Sequence, residues 1–383
     1  QGGGECRTKA ICDSWFKGGR GDSSTWSSTM HSESGNVMDG DCESNPDFCT
    51  WTKVFVPYCT GDMHSGTRTD AEEQLGGYYF AGHLGIVGLV RDLKNLPFYR
   101  DPTHALITGS SAGGIGALMH TDFFAESWPH AVVKGAPECG FFYAGVTAEP
   151  DYRAGSSTPV AHLGFVDAWK PYLPSACAAA TNGNMPICTD AHFLYPYLTA
   201  PLFIRENQYD TAKLANCGFN PRASTDTQYL KAWGHWMRSQ LSVFSKSAKD
   251  GFFSASCLEH GGNFGFDSSP IINGVTMRDA LSNWYFEKGD KSKQYVFDDC
   301  GDLPCSQATG SQRCPHYSPS PGPSPGPAPT PSTSCQAEFN KDCPKLQGQA
   351  CISCIHAHAG ALKAAGCAKK AQPVIGYFCR SPV

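Results

Sequence analysis

His104-Ala-Leu-Ile-Thr-Gly-Ser-Ser-Ala-Gly-Gly-Ile-Gly116 is the stretch whose reading decides the fold. Ala105 to Thr108 is a short apolar run that predicts a buried strand, and Ile115 to Phe124 predicts the start of a helix. Gly109-Ser110-Ser111-Ala112-Gly113 therefore falls on the turn between them, with Ser111 at the centre of a G-x-S-x-G elbow. Such an elbow holds a nucleophile on a strained strand-to-helix turn, and its glycines are required because a Cβ there collides with neighbouring backbone. The hydroxyl is then presented beside the positive end of a helix. A small-residue turn before an ordinary helix N-cap would share the five-residue pattern, so the flanking elements have to carry the distinction.

Outward from the elbow, the predicted elements alternate. Lys53-Val-Phe-Val-Pro-Tyr-Cys59 is rich in β-branched and aromatic residues and predicts a strand. Phe80, Leu84, Val87, Val90 and Leu93 recur at helical spacing, which predicts an amphipathic helix over 71–95, stopped by Pro97. Ala131-Val132-Val133 is a further short strand. The segment 201–210, Pro-Leu-Phe-Ile-Arg-Glu-Asn-Gln-Tyr-Asp, predicts another, with Asp210 just beyond its C-terminal end. Tyr229, Leu230, Trp233, Met237, Leu241 and Phe244 mark a second amphipathic helix, in which His235 reads as a packed or surface residue. Phe252 to Cys257 is a short strand followed by Leu258-Glu-His-Gly-Gly262, a loop flexible enough to bring the imidazole of His260 over to a distant serine. Strand–helix alternation of this kind builds a parallel α/β sheet, whose ligands gather at the carboxyl ends of the strands. The chain order Ser111, Asp210, His260 is that of α/β-hydrolases and of neither common serine-protease family.

Composition narrows the class. The 383 residues are 40% hydrophobic and 17% charged, and no apolar run approaches a membrane span. Nineteen cysteines scattered along the whole length indicate disulfides and an oxidising, secreted or luminal setting. Cys177 and Cys188 read as a local bridge. The net charge of −5 is uneven: from Cys335 onward six Lys or Arg face two Asp or Glu, a balance of +4 that leaves −9 for the rest. An acidic body with a small basic appendage excludes a nucleic-acid binder and suits a basic module resting on a polyanion.

Between the two parts, proline occupies every second position from Pro319 to Pro331, which predicts an extended polyproline spacer. Six cysteines then fall within Cys335 to Val383, too short a segment for a hydrophobic core but suited to three disulfides. Zinc at Cys351, Cys354, His356 and His358 is the weaker reading in an oxidising compartment. The organisation expected is an α/β-hydrolase-type domain over 1–317, a linker over 318–334 and a six-cysteine module over 335–383. Thirteen cysteines in the body is an odd number, and the chain opens abruptly on Gln1-Gly-Gly-Gly4 where a strand should precede it. We therefore expect a strand, and with it a partner for Cys59, upstream of residue 1.

With these residues assembled, the chain resembles the pectin acetylesterase and Notum family of serine carboxylesterases. The matching segments are Gly2-Gly3-Gly4…Cys6, Val54 to Cys59 with Gly61-Asp62 and Ser65-Gly66, Gly109 to Gly114, Cys139-Gly-Phe-Phe142, Gln208-Tyr-Asp210 and Cys257-Leu-Glu-His260. They are collinear and cover most of residues 1 to about 290; the linker and tail lie outside the resemblance. It implies an α/β-hydrolase-like, mostly parallel sheet flanked by helices, with Ser111 as nucleophile, His260 as general base and Asp210 as its orienting carboxylate. Gly3, Gly4 and Ala112 match the oxyanion-hole positions, and neither a cofactor nor a metal is implied. The chain departs at Glu5, where plant members carry tryptophan and Notum an aromatic pair. The implied substrate is an O-acetyl group on an extracellular, pectin-like polysaccharide. The alternatives are removal of a fatty acyl group from a protein and a non-catalytic binding protein on an esterase scaffold.

Overall fold

The computed structural model describes residues 3–27, 29, 35–141, 164–216, 227–261, 266, 269–305 and 341. Five strands, β1 (His104–Ser110), β2 (Val132–Glu138), β3 (Phe203–Arg205), β4 (Gly251–Ser254) and β5 (Tyr295–Phe297), form one sheet in the order β1-β2-β3-β4-β5. Every adjacent pair is parallel. The helices are α1 (Lys9–Lys17), α2 (Gly82–Lys94), α3 (Ala112–Ser127), four short ones, α4 to α7 (Gly164–Trp169, Ser175–Thr181, Met185–Thr189, Ala191–Leu194), then α8 (Thr211–Asn216), α9 (Thr227–Leu241) and α10 (Met277–Tyr285). The chain divides into two compact units, Gln1–Ser320 and Pro321–Val383. The proline spacer and the six-cysteine module, with the polyanion-binding and zinc readings that rest on them, lie outside the described residues except for Lys341.

Side chains alternate across the sheet as a two-period strand requires. Leu202 and Ile204 enter the core shared with Ile115 and Leu118 of α3 and Trp233 and Met237 of α9, while Phe203 enters the opposite core with Met277, Leu281 and Trp284 of α10. Both faces are covered, and α3 buries twelve of its sixteen residues.

Three predicted elements need correction. Lys53 to Cys59 joins no strand: Val56 packs against Ile86 and Val133, and Tyr58 is fixed by its hydroxyl, which donates to Gly4 O at 2.9 Å and accepts from Met63 N at 2.8 Å. Side-chain anchors hold the segment, and Pro57 withholds one ladder donor. The helix predicted over 71–95 begins only at Gly82, because Gly76 and Gly77 adopt φ of 108° and 76° and turn the chain. Its buried face is His83, Ile86 and Val90, whereas Leu84 and Val87 point outward. β3 is also far shorter than the apolar-to-polar run 201–210 suggested. The predicted Cys177–Cys188 bridge forms, as do Cys6–Cys12, Cys42–Cys49 and Cys300–Cys305, while Cys59 and Cys139 are free thiols. No helix of the described residues is long and apolar enough to cross a membrane.

Beneath α3 a histidine pair is locked in one tautomer. His120 Nδ1 lies 2.8 Å from Gly116 O, a pure acceptor, so it carries the proton, and His120 Nε2 accepts from His83 Nδ1 at 3.0 Å. Protonating His120 sets its Nε2–H against the Nδ1–H of His83. Burial pulls the pKa of His83 down to about 4 and that of His120 to about 3. Each group is neutral when folded and takes up a proton more readily when unfolded, so its stabilisation is complete above pH 6.5 and is lost as the pH falls through that window. We predict that the thermal midpoint falls between pH 7 and 4 and that His120→Gln, about 1–3 kcal/mol less stable at pH 7, shows a shallower fall. Parallel curves for the two proteins would contradict this reading.

Candidate active site

Ser111 sits between β1 and α3 at φ 58°, ψ −121°, a conformation that costs a non-glycine residue about 1–3 kcal/mol. The surroundings enforce it. Ser111 N donates to Glu138 O at the end of β2 (2.9 Å), and Ser111 O accepts from Ile115 N (3.0 Å). A Cβ at Gly109 would lie 2.2 Å from Gly113 O, and one at Gly114 would lie 2.3 Å from Glu138 O. The two glycines therefore let strand, turn and helix approach more closely than side chains allow.

His260 lies on the loop after β4 and closes on this serine: its Nε2 is 2.9 Å from Ser111 Oγ, and its Nδ1 is 2.7 Å from Asp210 Oδ2. Asp210 is wholly buried and uses its other oxygen, Oδ1, to accept from Lys213 N (2.9 Å) at the start of α8. It is thus a helix cap and a histidine anchor at once. Burial draws the His260 pKa down, but the hydrogen bond and charge of Asp210, followed by the buried carboxylates of Glu206 and Glu138, outweigh it, and the net shift is upward. A protonated imidazole facing a carboxylate is stabilised.

The loop that carries His260 is itself clamped from β3. Arg205 Nη1 donates to Gly261 O at 3.0 Å and Asn207 Nδ2 to Glu259 O at 2.9 Å. Glu206, between them, is wholly buried; burial pushes its pKa up to about 8 against the opposing charge of Lys213. Its Oε2 accepts from Phe141 N at 3.1 Å. None of Arg205, Glu206, Asn207 or Lys213 was singled out by the sequence reading. The signal was present as an uninterrupted polar run, Arg205 to Gln208, at the end of an apolar strand and before Asp210: such a run is costly to bury unless its groups find partners.

The glycine loop is fixed by its carbonyls. Gly3 O accepts from Trp15 Nε1 (3.1 Å) and Arg20 Nη1 (3.0 Å), and Gly4 O from the Tyr58 hydroxyl (2.9 Å). Because trans peptides oppose N–H to C=O, the amides of Gly4 and Glu5 are turned away from Trp15 and Tyr58. Glu5 is close enough for its charge to sense His260; burial raises its pKa, which Arg7, paired at 2.8 Å, and then His260 draw back. Ala112 is the first residue of α3, where helix amides lack intrahelical partners. His235 is exposed on α9 and takes no part.

The pectinacetylesterase family model matches residues 1–309. The chain belongs to the pectinacetylesterase family. By that membership it is a carboxylic ester hydrolase, and its mostly parallel sheet has the Notum-like α/β-hydrolase form. It is 28% identical over 284 residues to the palmitoleoyl-protein carboxylesterase Notum of Drosophila melanogaster, covering 71% of this chain and 40% of that protein. It is 26% identical over 316 residues to pectin acetylesterase 5 of Arabidopsis thaliana, covering 75% and 71%. The solved structure of the Wnt deacylase Notum from Drosophila superposes with a TM-score of 0.65 at 26% identity, over 82% of this chain and 88% of that one. This pectinacetylesterase-family chain thus spans less than half of the curated fly protein.

The elbow geometry makes a direct prediction. Gly109→Ala or Gly114→Ala drives a methyl group into backbone and should cost several kcal/mol, at or above the ~1–3 typical of overpacking. Gly85→Ala, in α2 with nothing within 4 Å of its added Cβ, should be neutral or stabilising. Thermal melts of the three variants check this; equal melting of Gly109→Ala and Gly85→Ala would refute it.

Proposed function

We propose that this chain is a secreted serine carboxylesterase that removes O-acetyl groups from an extracellular, uronic-acid-containing polysaccharide. The observation that carries the reading is the continuous contact chain Ser111–His260–Asp210, at 2.9 and 2.7 Å, on an elbow that fixes the serine backbone. In this mechanism Ser111 Oγ attacks the ester carbonyl as His260 Nε2 takes its proton. Asp210 holds Nδ1–H and stabilises the imidazolium. The amides of Gly3, Gly4 and Ala112 donate to the oxyanion, and His260 then returns the proton to the departing sugar hydroxyl. Water repeats the cycle on the acetyl-enzyme. Support for secretion comes from the disulfides spread along the described residues.

Acetyl is preferred over a long acyl group because of Glu5. A buried carboxylate beside His260 makes that wall of the site polar, where a fatty chain requires apolar surface. Removal of a fatty acyl group from a protein is the second reading, favoured by the likeness to Drosophila Notum.

Ser111→Ala is expected to abolish acetate release from acetylated pectin, with turnover of p-nitrophenyl acetate and butyrate in the wild type exceeding that of the octanoate ester. Preference for octanoate would favour the deacylase reading, and full activity of Ser111→Ala would sink both. Asp210→Asn should lower kcat about 10³–10⁴-fold. It should also move the acidic limb of kcat/KM to lower pH, since His260 must be neutral to act and loses the carboxylate that raises its pKa. A limb that stays in place would contradict the assigned role of Asp210.

A further inference from the structure

Behind the imidazole lies a cluster of donor side chains. Cys139 follows β2, and its thiol takes part in no disulfide. It is held at φ 47° with its N donating to Arg205 O at 2.8 Å, so the side chain is aimed by a backbone conformation that cysteine does not favour. Ligand atoms of Cys139, Asp210 and His260 all lie within 4.8 Å of one another. Arg205 Nη1 donates to the sulfur at 3.3 Å, a contact that favours the thiolate. Cys139 and Asp210 are wholly buried, while the His260 side chain keeps 25% of its surface in solvent and offers a path inward.

We propose that Cys139, Asp210 and His260 form an inhibitory site for a thiophilic divalent cation, zinc or cadmium. One sulfur, one oxygen and one ring nitrogen is a donor set of the zinc type, with a solvent water as fourth ligand. At zinc–ligand lengths of ~2.0–2.3 Å the donors of a tetrahedral site stand roughly 3.3–3.6 Å apart; a pair at the outer 4.8 Å limit closes by about 1 Å, and with the cation on Nδ1 the 2.7 Å Asp210–His260 contact opens by about 0.6 Å as its hydrogen bond is replaced. The charges balance: a divalent cation meets the Asp210 carboxylate and the Cys139 thiolate, and the single thiol proton is released to solvent. Burial holds the free Cys139 thiol well above its ordinary pKa, and Glu206, Glu138 and Asp210 add to this against Arg205, so the cation itself has to displace the thiol proton; Glu206 and Glu138 also act on His260, and Lys213 opposes the upward shift of Glu206. Occupation disables the base by either ring nitrogen. A cation on Nδ1 forces the proton to Nε2, which then faces Ser111 as a donor, and a cation on Nε2 takes the lone pair that would receive the serine proton.

The inhibitory half of this inference rests on the triad reading above; the binding half does not. The test uses the full chain carrying Cys59→Ser, titrated with cadmium chloride and, separately, zinc chloride. Binding is read from the ultraviolet thiolate-to-cadmium absorption and by equilibrium dialysis, and inhibition from p-nitrophenyl acetate hydrolysis normalised to each protein's own metal-free rate. The expected result is one cadmium per chain with loss of hydrolysis in step with binding. In Cys139→Ala and Cys139→Ser the absorption should vanish and the half-inhibiting concentration rise at least about tenfold, the lower end of what even an outer-shell partner contributes. Ser111→Ala should bind cadmium as the parent does. Absorption and inhibition unchanged in both Cys139 variants, or no stoichiometric binding by the parent, would overturn the site. Cys139-dependent binding without loss of hydrolysis would instead retain the metal site and count against His260 as the base.

Discussion

A serine held where serine does not willingly sit is the constraint on which this structure depends. The left-handed backbone at Ser111 is sustained because β1, α3 and the end of β2 converge with no Cβ between them, and because the Ser111 amide is tied to Glu138 O. The turn is therefore a product of the sheet as a whole. Extending α3 backward or relaxing the turn would require parting Gly109 from Gly113 and Gly114 from β2, against the packing of a helix buried along most of its length.

The other half of the site is assembled from polar side chains inside the protein. From the last residue of β3 onward the chain buries Arg205, Glu206, Asn207, Gln208 and Asp210, an arrangement that would be costly if any of them were idle. They are employed: Arg205 and Asn207 hold the carbonyls of the histidine loop, Gln208 reaches Asp298 O, and Asp210 takes the imidazole. His260 is consequently supported from the loop behind β3 rather than by its own flexible neighbours. The same density of buried donors behind the imidazole is what brings the Cys139 sulfur within reach of Asp210 and His260.

The elbow, the parallel sheet and the two side chains aligned behind Ser111 were legible in the sequence because each leaves a local mark: an apolar run beside clustered glycines, a carboxylate past a strand end, a histidine before Gly261-Gly262. What escaped reading is what tertiary context decides. Lys53 to Cys59 has strand composition, yet packing of Val56 and the bonds of Tyr58 hold it outside the ladder. In the first turns of α2 the buried positions are His83 and Ile86 where Leu84 and Val87 were expected, while Val90 is buried as the stripe requires. β2 runs through Lys134, Gly135, Pro137 and Glu138, residues without strand propensity, because both its neighbours are strands that leave it no other partner. The clamp residues Arg205 and Asn207 read as part of a strand over 201–210, and their bonds to the histidine loop depend on how the fold places that loop.

Covalent labelling tests the central claim most directly. A fluorophosphonate captures a serine only where that hydroxyl is activated and an oxyanion site receives the phosphoryl oxygen, so it reports the assembled site rather than any one residue. Intact mass and peptide mapping should find a single adduct on the peptide containing Ser111, formed far more slowly when His260 is replaced by alanine. Hydrolytic activity that survives saturating reagent, or an adduct on a different serine, would contradict the account.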